Sequence, residues 1–165
     1  MVAYGEECGR FWERFSFLVT EAAAGTQTVL QFLAECGDQS ERRRVFDALA
    51  IEVRRMHAAG LATPDLFTRH VFVDAAADPP RFCWIDMGRL EQRRPLPGRW
   101  RICDLAALNI TAPLRFVSAR ERVRFLRIYA GAADRRFARR VNRRVAYLLR
   151  RRKFRDFRSG LPGPT

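Results

Sequence analysis

Two aspartates and one histidine stand where a phosphate chemistry can be built. Asp65 closes the short loop Ala62-Thr63-Pro64-Asp65, His70 follows five residues later, and Asp86 ends the apolar run Phe82-Cys83-Trp84-Ile85 and opens Asp86-Met87-Gly88. A carboxylate at the end of a strand or loop is presented to a cleft by a rigid scaffold. Two of them divide a phosphoryl transfer between them: one orients an attacking hydroxyl and takes its proton, the other binds the metal that bridges the phosphates. A ligand such as His70 between them helps hold that metal. Each residue also has a plain structural reading. Pro-Asp is ordinary turn chemistry, and a histidine at a strand start can be a satisfied core residue. Asp86 is hardest to explain that way, because a carboxylate placed directly after four apolar residues and before a turn-forming glycine does not serve solubility.

The elements that must position these residues can be read from periodicity. Arg14 to Glu21, with Phe15, Phe17, Leu18 and Val19, reads as a strand leading into Ala22-Ala23-Ala24-Gly25. Thr26 to Glu35 reads as a short helix closed by Gly37. A longer helix follows from an N-cap at Ser40 through Val45, Leu49, Val53 and Met56 to Gly60. Val71-Phe72-Val73 and Phe82-Cys83-Trp84-Ile85 form a hairpin around the turn residues Asp74 to Pro80. Arg93 to Trp100 reads as a loop, and a helix begins at Asp104. From Ser118 two amphipathic helices are expected, one burying Val123, Leu126 and Tyr129, the next Phe137, Val141, Val145 and Leu148. Ser159 to Thr165 is expected to be a frayed, disordered tail.

Composition bounds what this scaffold can serve. With 165 residues, 48% of them hydrophobic, the chain suits one domain with a real core, neither disordered nor fibrous. The net charge is +13 and is unevenly placed: residues 1–90 carry 10 basic and 13 acidic side chains, residues 91–165 carry 21 and 5. Between Arg115 and Arg158 there are 17 basic and 3 acidic residues, with Arg135-Arg136, Arg139-Arg140 and Arg143-Arg144 on one helical stripe. Such a stripe is either a solvated face, inflated by an arginine-rich genome, or a surface for anionic headgroups. Nucleic acid is the competing partner, with Phe137, Tyr147, Phe154 and Phe157 available for stacking, although no nucleic-acid motif is present. Cys8, Cys36, Cys83 and Cys103 are too far apart for a Cys-x-x-Cys pair, and they read as buried thiols of a cytosolic protein. No run approaches the roughly 18 apolar residues of a membrane-spanning helix.

The order of these pieces resembles the lipopolysaccharide kinases of the Kdo/WaaP type. The resemblance rests on Met56-His57-Ala58-Ala59-Gly60 and on Asp65 through Asp74. It continues through Arg81 to Leu90 and Arg99 to Leu108, and more loosely to about Gly131. It implies an α+β, mostly helical fold, that of the large C-terminal lobe of a protein kinase with a small β-hairpin at the cleft, spanning residues 1–158. Within it the hinge strand would be 14–21, the catalytic loop 61–74, the metal-binding segment 81–90 and the Arg-rich helices 118–158. Asp65 would be the catalytic aspartate, Asp86 the Mg²⁺ ligand and His70 the second metal-site residue. Phe17, Leu18, Val19, Thr20 and Glu21 would edge the adenine of ATP. Asp104 would brace the catalytic loop. The activity implied is transfer of the ATP γ-phosphate to a sugar hydroxyl of the lipopolysaccharide core, on the cytoplasmic face of the inner membrane.

The departures from the family pattern matter equally. Thr63-Pro64 replaces the usual His-Arg before the catalytic aspartate. No glycine-rich phosphate loop precedes the hinge, and Lys153 is the only lysine, so the residue that would hold the α- and β-phosphates is missing. The expectation is a lobe that is truncated and weak or inactive by itself, with a separate small-lobe chain as one partner. The alternative is a catalytically dead binding module that docks on an anionic membrane, a partner protein or nucleic acid through its arginines.

Overall fold

Val71 and Val73 are buried while Phe72 and Asp74 are only partly covered, the period-two signature of a strand with one face on the core. This strand lies at the centre of a computed structural model that describes residues 3–8, 13–19 and 27–151. In chain order the elements are β1 (Ala3–Cys8), β2 (Glu13–Val19), β3 (Gln27–Thr28), α1 (Val29–Glu35), α2 (Gln39–Ala58) and β4 (Leu61–Ala62). A 3₁₀ turn (Thr68–His70), β5 (Val71–Asp74), β6 (Arg81–Trp84), β7 (Glu91–Gln92), α3 (Gly98–Thr111), α4 (Ala119–Ala130) and α5 (Arg135–Leu149) follow. The architecture is α+β and mostly helical, with three small antiparallel sheets ordered β1-β2, β3-β5-β6 and β4-β7.

The expected hairpin is present, with Val71 opposite Trp84 and Val73 opposite Phe82. The strand predicted at 14–21 is β2, paired antiparallel with β1; Thr20 and Glu21 lie outside the described residues, as does 152–165 with the expected tail. Five expectations are corrected. The first helix starts at Val29, because Gln27 and Thr28 pair with β5 and Thr28 closes a capping box with Gln31. Asp38, not Ser40, caps α2, its carboxylate accepting from the Ser40 amide at 2.8 Å. The next helix begins at Gly98 rather than Asp104, so Gly98 to Cys103 add more than a turn ahead of the apolar stretch. On α4 the buried residues are Phe125 and Tyr129, whereas Val123 is 67% exposed: its i,i+3 spacing to Leu126 fits either side of the helix. The cysteines differ too. Cys83 is exposed, Cys36 and Cys103 are partly covered, and all three are free thiols.

The core forms where α1, α2 and α3 meet the central sheet, around Phe32, Leu49, Val53, Leu105 and Val71, all fully buried. Helix α4 packs on α2 and α5 on α3. A charged side chain also ties this core region together. Arg42 is buried and its guanidinium donates to the carbonyls of Leu33 and Phe116 and meets Glu121 at 3.2 Å, joining α1, α2 and the start of α4. Gly60 sits at φ +84°, where a Cβ would come within 2.4 Å of the Arg93 carbonyl oxygen. That close approach lets β4 pair with β7 and sets the entry to the loop that carries Asp65.

Candidate active site

The loop after β4 is held from below. The Asp104 carboxylate, fully buried in α3, accepts from the Thr63 amide at 2.8 Å and faces His57 Nε2 at 3.1 Å. His57 Nδ1 in turn lies 2.7 Å from the Tyr129 hydroxyl, and the Tyr129 ring stacks on Phe137. A second anchor is provided by Thr68, whose amide donates to Thr111 Oγ1 at 3.1 Å and whose hydroxyl donates to the Thr111 carbonyl at 2.6 Å. Thus α3 holds both ends of the segment Thr63–Thr68, and Asp65 sits at its turn.

Burial is the largest influence on Asp104 and pushes its carboxyl above the ordinary carboxylate value, against the hydrogen bond from His57 that favours the anion. Its Oδ1 is buried and has no hydrogen-bond partner among the described residues. Burial likewise raises Tyr129 to about 12 despite the nearby Arg101 guanidinium. The far end of this chain of side chains opens on a cavity of about 400 Å³ lined by Arg54, His57, Arg101, Tyr129 and Phe137.

At the turn itself, the Asp65 carbonyl lies 3.2 Å from His70 Nδ1, and His70 Nε2 accepts from Arg69 Nε at 3.0 Å. This pattern places the imidazole proton on Nδ1. His70 Nδ1 also lies 3.6 Å from Asp86 Oδ2, so the imidazole links the Asp65 main chain to the Asp86 carboxylate. The Ile85 amide donates to the His70 carbonyl at 3.0 Å, which continues the β5-β6 ladder and delivers Asp86 beside it. Asp86 has φ +55°, a left-handed backbone that a short polar residue tolerates, and its side chain is 66% exposed. The Asp65 side chain is only 18% exposed and is engaged by Arg89 Nη1 at 3.1 and 3.2 Å to its two carboxylate oxygens.

Structure therefore brings Asp65, His70 and Asp86 together and sets Asp104 beneath them. Of the suggested hinge, Phe17, Leu18 and Val19 lie on β2; Thr20 and Glu21 fall outside the described residues. Among the described residues no cluster of three or more His, Cys, Asp or Glu side chains forms a ready metal cage. The donor set fits Mg²⁺ in a different way: the exposed Asp86 carboxylate is a hard oxygen donor, and Mg²⁺ is commonly bound by one or two carboxylates together with substrate phosphates. Three residues that sequence reasoning passes over complete the arrangement: His57, Tyr129 and Arg89. His57 is open to notice as one of two histidines, and Arg89 as the cation three residues after Asp86.

The scaffold sets a loop aspartate and a post-strand aspartate near one histidine, and comparison with known proteins gives the class, that of the lipopolysaccharide kinases. The model of the lipopolysaccharide kinase (Kdo/WaaP) family matches residues 1–129, and the chain belongs to that family. It is 34% identical over 136 residues to the lipopolysaccharide core heptose(I) kinase WaaP of Pseudomonas aeruginosa, covering 78% of this chain and 51% of that protein. The WaaP of Escherichia coli K12 is 27% identical over 138 residues, covering 79% of this chain and 52% of the relative. A solved structure of WaaP in complex with acyl carrier protein superposes with a TM-score of 0.69 at 30% identity, covering 94% of this chain and 67% of the other. The chain spans about half the length of the curated relatives it matches.

Proposed function

We propose that this chain carries the catalytic carboxylates of an ATP-dependent kinase that phosphorylates a sugar hydroxyl of the lipopolysaccharide core. The observation that carries the reading is that His70 joins the main chain of Asp65, on a loop fastened to α3, to the carboxylate of Asp86 at the end of β6. Asp65 orients the acceptor hydroxyl and takes its proton. Asp104 acts through the Thr63 amide as a positioning residue. Asp86 would hold Mg²⁺ with His70 at its side, and a direct bond from His70 would require exchanging its contact with the Asp65 carbonyl or with Arg69. When bound, Mg²⁺ supplies charge neutralisation to the phosphates. Phe17 to Glu21 edge the adenine in this reading.

The same reading places the chain in the cytoplasm, peripheral to the inner membrane, with an anionic lipid surface as a partner. No described helix is long and apolar enough to cross a membrane. A small-lobe chain and an acyl carrier protein, the partner present with the solved relative, are the protein partners it includes.

A binding lobe without catalysis is the second reading. It draws on α5, where Arg135, Arg136, Arg139, Arg140 and Arg143 are exposed and have no carboxylate partner among the described residues. Phosphate transfer from radiolabelled Mg-ATP to purified lipopolysaccharide core separates the two. Transfer that falls at least about a hundredfold in both Asp65→Ala and Asp86→Ala supports the kinase. Transfer that survives both substitutions overturns it, and no transfer with intact lipid binding favours the binding lobe.

A further inference from the structure

Among the described residues, the one side chain paired with the Asp65 carboxylate is Arg89, and the way it is held is unusual for a structural pair. A single nitrogen, Nη1, sits between both carboxylate oxygens at 3.1 and 3.2 Å. The two-nitrogen fork that makes arginine–carboxylate pairs strong is not used, and among the described residues Nε and Nη2 of Arg89 make no hydrogen bond. The Arg89 side chain is 65% exposed, which leaves the pair open to water on one side, and such pairs hold weakly. While it stands, however, both oxygens of Asp65 are occupied by a cation. Arg69, the other arginine at the turn, is committed to His70 Nε2 and to the face of Phe67.

We propose that Arg89 is a catalytic residue of the transfer reaction, kept in reserve on Asp65 and drawn onto the transferring phosphoryl group when a nucleoside triphosphate binds. This rests on the kinase reading above. Arg89 lies in the turn that immediately follows Asp86, where the Leu90 amide donates to the Met87 carbonyl at 2.9 Å, so a phosphate at Asp86 is within the ambit of its long side chain. The exchange accomplishes two things. It frees Asp65 to accept the proton of the acceptor hydroxyl, and it places a guanidinium fork against the charge that develops on the phosphoryl oxygens. In the step itself the hydroxyl oxygen bonds to the γ-phosphorus, the bond from that phosphorus to the β-phosphate bridging oxygen breaks with its electron pair leaving on the diphosphate, and the hydroxyl proton passes to Asp65.

The test is equilibrium binding of Mg-ADP and of a non-hydrolysable Mg-ATP analogue to the wild-type chain, Arg89→Gln, Arg89→Lys, Asp65→Asn and the Asp65→Asn/Arg89→Gln double variant, with folding checked by circular dichroism. Arg89→Gln is expected to weaken the triphosphate analogue at least about tenfold while leaving ADP within about twofold, as removal of charge-assisted hydrogen bonding to the γ-phosphate requires. Arg89→Lys should recover part of that affinity. Asp65→Asn, which releases the guanidinium, should tighten the analogue several-fold, and the gain should vanish in the double variant. A merely structural Arg89 would not produce that coupling. Equal affinities across the Arg89 variants, or equal losses for both nucleotides, overturn the proposal while the kinase reading stands. Failure of wild type to bind Mg-ADP, or binding indifferent to Asp86→Ala, overturns the kinase reading and this proposal together.

Discussion

Asp86 combines a function and a conformation in one residue. Its φ of +55° is a backbone state in which a Cβ is penalised, but asparagine and aspartate are enriched there because their short polar side chains bond locally. Asp86→Asn should therefore leave thermal stability near wild type, Asp86→Gly should match or exceed it, and Asp86→Ala should cost about 1 kcal/mol, as read by chemical denaturation. All three remove the proposed metal carboxylate, so a variant as stable as wild type yet unable to bind Mg-nucleotide separates conformation from ligation. Tyr129 gives the pH signature. Its hydroxyl is raised to about 12 by burial, so between pH 10 and about 12 the folded protein keeps a proton that the unfolded chain has lost. Stability should fall as pH rises through that window, and Tyr129→Phe should flatten the slope while disturbing the bond to His57.

At the scale of elements, the turn from α2 into β4 is the most constrained joint near the site. A side chain at Gly60 would face both a positive φ and the Arg93 carbonyl at 2.4 Å. Gly60→Ala is expected to cost about 1–3 kcal/mol and to lower the melting temperature by several degrees. How much of this joint and its surroundings is legible in the sequence depends on distance along the chain. The β5-β6 hairpin and the locations of Asp65, His70 and Asp86 follow from short apolar runs and the turn residues around them within about twenty positions. The His57–Tyr129 contact joins residues 72 apart and leaves no local trace. The start of α3 is obscured because Pro97 and the arginines around it imitate a loop, although proline ahead of a helix is also a start signal. The phase of α4 is ambiguous for a simpler reason: Val123, Leu126 and Tyr129 satisfy helical spacing, as do Phe125 and Tyr129, and only the packing against α2 chooses between them.

For the molecule as a whole, charge is segregated along the chain, and α5 presents outward arginines that have no carboxylate partner among the described residues while Val141 and Leu148 face inward. Co-sedimentation with vesicles should show binding to phosphatidylglycerol-containing bilayers and none to phosphatidylcholine alone. The binding should weaken steeply with salt and drop in Arg139→Gln/Arg143→Gln by about thirtyfold, near 1 kcal/mol for each arginine. Preference for RNA over vesicles at equal salt would instead favour nucleic acid. Arg42 governs how these helices are brought together in time. Its bond to the Phe116 carbonyl spans 74 residues, and closing a loop of that length costs about 4 kcal/mol of chain entropy. Such a bond forms only after α1, α2 and α4 have already met. Arg42 is then a latch fastened after the folding barrier has been crossed, and Arg42→Met should speed unfolding in stopped-flow measurements while leaving the refolding limb almost unchanged.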